Sequence, residues 1–138
     1  MKSAISLCTL MLIVTISCMA SNPIPQYPDE VAEEWIVMSL MDYGFVSRCD
    51  IRPLYKDATV YDIRITYVSG SVSQVQFLKA CVRVVGNFTK KTTWKSRDLN
   101  LTKGDTQWTI KTRDCRRVSN YNEAQLTAFV LRIPYLQW

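Results

Sequence analysis

Histidine is absent from the 138 residues, and glycine is scarce, at four positions. The first absence removes every Ser-His-Asp or Cys-His nucleophilic apparatus, every His-ligated metal site, and the side chain most used for acid/base work near neutral pH. The second excludes glycine-rich phosphate loops and dinucleotide-binding turns. No nucleophile elbow, paired-carboxylate signature or internal repeat is present either. What remains is an ordinary globular composition, 48% hydrophobic and 21% charged, with a formal net charge of +5, matching one domain of typical size.

The first twenty residues form one module. Lys2 precedes a nearly continuous apolar run, Ala4 to Ser17, and Cys18-Met19-Ala20 ends it with small residues at the positions a signal peptidase reads. The run is too short to cross a bilayer, and Pro23 and Pro25 break any helix beyond it. The expectation is secretion to an extracellular location with no transmembrane anchor. Residues 21–28 then form an extended proline-rich lead, and 29–138 a single domain.

Cleavage after Ala20 leaves 118 residues and three of the five cysteines, Cys49, Cys81 and Cys115. In an oxidising compartment an odd count predicts one intramolecular bridge plus a spare thiol, or a disulfide-linked dimer through the odd cysteine. Their spacings fit no zinc pattern, so no metal and no cofactor is expected.

A helix is predicted over Glu30 to Tyr43. Asp29 caps it, acids fill its first turn, and Gly44 stops it. Val31, Trp35 and Met38 recur at helical spacing, and Ile36, Val37, Leu40 and Met41 widen the apolar surface beyond that one stripe, so the helix is expected to be covered. Arg48 to Thr59 reads as an irregular connection.

From Val60 the period becomes two: Tyr61, Ile63, Ile65 and Tyr67 alternate with polar residues, marking a half-buried strand. A turn at Ser69-Gly70-Ser71 would set Ile65 opposite Val75 and Ile63 opposite Phe77 in a hairpin. Gln74 to Val85 also admits a helix, but its four valines favour strand. A second hairpin, Thr89 to Ser96 with Thr106 to Arg113, pairs Trp94 with Trp108 and Lys91 with Lys111 around a nine-residue loop. Glu123 to Ile133 fits the helix template and also alternates; the following Pro134 tips the reading to strand.

These elements predict an α+β domain in which an N-terminal helix packs across an antiparallel β-meander of four to five strands. The order resembles the cystatin-like roll in arrangement. In place of the cystatins' Gln-x-Val-x-Gly hairpin and Pro-Trp loop stand Ser73-Gln74-Val75-Gln76 and Pro134-Tyr135, and the four-cysteine C-terminal framework is missing. Inhibition of papain-type proteases through that wedge is not expected.

Charge is uneven. Residues 29–62 carry eight acids against three bases, and residues 63–117 twelve bases against three acids. Lys91, Lys95, Lys111 and Arg113 are expected to share one exposed sheet face, suited to an extracellular protein or an anionic polysaccharide. Nucleic acid is not expected, because neither a recognition helix nor a basic-aromatic motif is visible. Two sequons, at Asn87 and Asn100, are placed in turns, where a glycan is tolerated.

The sequence thus predicts a secreted, N-glycosylated, non-enzymatic binding protein that engages a macromolecule through a basic sheet face or its loops. A carrier with a small apolar ligand between helix and sheet, lined by Trp35, Trp94, Trp108, Tyr61 and Tyr67, is the alternative. A histidine-free enzyme using Asp62 and Arg64 ranks below both.

Overall fold

The computed structural model describes residues 28–53, 60–91 and 95–137. The expected signal peptide, most of the lead, and Trp94 lie outside these residues. In chain order the elements are α1 (Pro28–Met41), β1 (Phe45–Pro53), β2 (Val60–Gly70), α2 (Gln74–Lys91), β3 (Lys95–Lys103), β4 (Thr106–Lys111), α3 (Thr112–Val118), α4 (Glu123–Leu131) and β5 (Tyr135–Gln137). The class is α+β, with four helices on a mixed sheet of four main strands and the three-residue β5, in the order β1-β2-β3-β4-β5.

The antiparallel meander and the cystatin-like roll are not what forms. β2 and β3 run parallel, which a hairpin cannot achieve, and α2 is the crossover that joins them. Gln74–Lys91 is therefore a helix, and the expected pairing of Ile63 with Phe77 is replaced by packing of helix on sheet. Its start is a capping box: the Ser73 hydroxyl accepts from the Gln76 N–H at 3.2 Å while the Gln76 side chain accepts from the Ser73 N–H at 3.0 Å. Gln76, Lys79, Arg83, Asn87 and Lys90 recur every three or four residues as its polar stripe. Nearly all else on α2 is buried, including Phe77, Leu78, Cys81, Val82, Val85 and Phe88.

The segment read as irregular contains β1, antiparallel to β2 with Cys49 opposite Ile65 and Ile51 opposite Ile63. Across the four main strands two apolar rows face the helices. One is Cys49, Ile65, Leu101 and Trp108, the other Ile51, Ile63, Leu99 and Ile110, and all eight residues are buried. Phe77 sits above them, with its ring 5.4 to 6.4 Å from those of Phe45, Tyr67 and Trp108.

The hairpin between β3 and β4 turns at Gly104-Asp105, not over nine residues around Leu101. Lys103 pairs with Thr106 and Gly104 has φ +62°, the left-handed conformation a two-residue turn of this kind demands. This register sets Trp108 against Leu101 and Lys111 against Asp98 in place of the expected partners, of which Trp94 lies outside the described residues and Lys91 ends α2.

α1 lies where expected, but with another stripe inward. Ala32, Ile36 and Leu40 are fully buried against β1 and α2, while Val31, Trp35, Met38 and Met41 are 41 to 60% exposed. The stripe is chosen by Glu33, half-buried beside it, whose carboxylate accepts the Ile51 backbone N–H of edge strand β1 at 2.7 Å. The final segment is helix α4, opened by a capping box between Asn122 and Gln125.

Candidate binding cleft

The candidate site follows from how β4 ends. β4 pairs with β3 along its whole length, but β5 covers only Thr106 to Trp108, because Pro134 precedes β5 and has no N–H to continue the ladder. Beyond that point the chain runs from Lys111 directly into α3, held by a hydrogen bond from the Thr112 hydroxyl to the Ser96 carbonyl. Between β4 and the wall made by α3 and α4 a cleft of about 580 Å³ opens.

The far wall is fixed from beneath. Arg83 of α2 donates to the Ser119 carbonyl at 2.9 Å and to the Tyr121 carbonyl at 3.1 Å. Glu123, in the first turn of α4, accepts from Lys79 at 2.8 Å and from Arg83 at 3.3 Å. The Lys79 ammonium foremost, with Arg83 behind it, pulls the Glu123 carboxyl below its ordinary pKa.

Ile110 forms an apolar floor, with Phe129 and Ile133 beside it. Around it stand three cations, Lys111, Arg117 and Arg132, against one carboxylate, Asp114. Lys111 lies 3.0 Å from Asp98. Arg117 reaches Asp114 at 3.5 Å and the Tyr121 hydroxyl at 3.3 Å, with its guanidinium 5.9 Å from the centre of the Phe129 ring. Arg132 is exposed and has no ion-pair partner among the described residues.

The basic sheet face expected from the sequence does not form. Lys91 ends α2, Lys95 begins β3, Lys111 ends β4, and Arg113 stands exposed in the first turn of α3. Of the four, Lys111 alone lines the cleft. Arg117 belongs to the basic run after Arg113 that the sequence displays, whereas Arg132 carries no local signal and reaches the site only through α4.

The open face of the sheet is polar and of mixed charge. Rows Arg48-Thr66-Thr102-Gln107, Asp50-Arg64-Asn100-Thr109 and Arg52-Asp62-Asp98-Lys111 cross it, four bases against three acids. Arg48, Asp50, Arg52 and Arg64 among them line a depression of about 520 Å³ with a polar floor, three bases against one acid, Arg48 lying 3.8 Å from Asp50.

Neither sequon lies in a turn. Asn87 is half-buried within α2, and its partner Thr89 is buried, donating its hydroxyl to the Val85 carbonyl at 2.9 Å. Asn100 is mid-strand in β3 and accepts from the Thr109 hydroxyl at 2.9 Å.

Cys49, Cys81 and Cys115 are all buried and all free, so the expected intramolecular bridge is not made and none of the three is presented for a link to another chain. Burial raises all three thiol pKa values. Cys115, with Asp114 adding to the effect, is pushed up to about 12, and Cys81 rises well above its ordinary value, chiefly by burial and then by its two fellow thiols. Among the described residues no group of three His, Cys, Asp or Glu side chains is gathered as a metal site, and no helix is long and apolar enough to cross a membrane.

No protein-family model matches the chain, and neither a curated protein nor a solved structure matches it.

Proposed function

We propose that the chain is an exported, non-enzymatic binding domain that engages an acidic extracellular macromolecule in the cleft between β4 and α3–α4. The observation that carries this reading is the cleft itself, an apolar floor of Ile110, Phe129 and Ile133 rimmed by Lys111 and Arg117, which lie against Asp98 and Asp114, and by Arg132, which has no ion-pair partner among the described residues. Its volume of about 580 Å³ suits a bound segment rather than a single ion. The N-terminal module supports export, and the absence of histidine, together with the burial of the three described thiols, supports binding over catalysis. The carrier reading is weaker, because the space between helix layer and sheet is filled by Phe77, Cys81 and Val85 of α2.

Retention on immobilised polyglutamate and on heparin tests the proposal. Arg117→Glu and Arg132→Glu are expected to lose retention, while Arg48→Glu and Arg64→Glu, which change net charge equally on the open sheet face, keep it. The reverse pattern would move the binding surface to the sheet face and sink the cleft reading.

A further inference from the structure

We infer that the cleft takes its partner as an extended acidic peptide segment, added as a strand along the free edge of β4. This rests on the reading of the cleft as the ligand site and says how the ligand is held there. Thr109, Ile110 and Lys111 pair with β3 on one side and with no strand among the described residues on the other. In an extended strand successive backbone groups point to alternate edges, so part of the N–H and C=O groups of this stretch face the cleft. A buried or half-enclosed strand edge left open is a place where a peptide backbone can be read directly.

The side chains around the edge specify what kind of peptide fits. The strand alternates: Ile110 is buried on the helix side, and Thr109 and Lys111 are exposed on the open side. A strand laid beside them would place one side chain next to Ile110, Phe129 and Ile133, and its neighbours in the chain next to Lys111. A carboxylate towards Arg132 would meet a cation with no ion-pair partner among the described residues, one beside Lys111 would share that ammonium with Asp98, and an apolar residue between them would cover the floor. A polysaccharide could use the cations but not the backbone edge, and a second copy of this chain could use the edge but would oppose Lys111 with its own basic rim.

The experiment uses the isotope-labelled full chain and three probes: a short blocked peptide alternating Glu and Val, the same peptide methylated at every backbone nitrogen, and a heparin oligosaccharide. The unmethylated peptide is expected to bind and to protect the amides of the Thr109 to Lys111 stretch from hydrogen exchange. Methylation is expected to weaken it by about tenfold or more, the loss of one or two backbone hydrogen bonds. Equal binding of the methylated peptide, or of heparin alone, overturns strand addition and leaves the cleft reading standing. Binding that ignores Arg117→Glu and Arg132→Glu, or no binding by any probe, overturns both. Protection of the same amides without peptide, in a chain that sediments as a dimer, assigns the edge to a second copy and overturns the proposal.

Discussion

Gly86 in α2 rests directly on the backbone carbonyl of Cys115 in α3: a β-carbon at Gly86 would lie 2.3 Å from that oxygen and 3.0 Å from the Ser119 β-carbon. The obstacle is main chain, which cannot swing aside as a flexible side chain would. Gly86→Ala is therefore expected to force the two helices apart although alanine is the better helix former. Overpacking of this kind costs about 1–3 kcal/mol, against roughly 1 kcal/mol regained in helix propensity. The net change is a loss of up to about 2 kcal/mol, or several degrees in Tm by thermal unfolding. A variant as stable as the parent would show that α3 can retreat freely.

Alkaline stability reports on the buried thiols. Unfolded, a cysteine ionises near 9; folded, Cys115 is held to about 12 by burial. A group whose pKa is raised by folding stabilises the native state fully below its unfolded pKa and loses that contribution as pH climbs towards the folded value. Urea midpoints should thus fall between pH 9 and 12, and Cys115→Ala should flatten the fall by up to about 1.4 kcal/mol per pH unit. An unchanged slope in Cys115→Ala would show that other groups govern the alkaline limb.

Glu123 sets the opposite limb. Its carboxyl is depressed by Lys79 and Arg83, so its contribution is present above the ordinary carboxylate range and disappears as pH falls through the lowered value. Glu123→Gln should lower Tm at neutral pH and match the parent in strong acid. Because α4 forms the cleft wall, exchange of the amides in its first turn should quicken in the variant at neutral pH. Identical Tm at neutral pH would mean the exposed ion pairs contribute nothing measurable.

Much of this architecture is written in short-range signals, and the parts that mislead do so for physical reasons. α1 is legible from its acids, its apolar spacing and Gly44, yet its inward stripe is not, because either apolar stripe satisfies the period and the edge strand's need for Glu33 decides. At α2 the valines outweigh the Ser73 and Gln76 capping pair, although the polar stripe from Gln76 to Lys90 already has helical spacing. Five of its buried positions are valine or phenylalanine, residues as much at home in a sheet. The Gly104-Asp105 turn is a plain hairpin signal, hidden once Trp94 is matched with Trp108. The cleft is the least legible, since Lys111, Arg117 and Arg132 meet only after three elements have packed.

The hydrogen bond from Ile51 to Glu33 has one more consequence, for assembly. A sheet with two free margins can stack copy upon copy without limit, the geometry from which fibres grow. Here Glu33 takes the outward N–H of Ile51 within the chain, so a strand approaching β1 would have to displace that carboxylate, an obstacle that the Thr109 to Lys111 edge of β4 does not present.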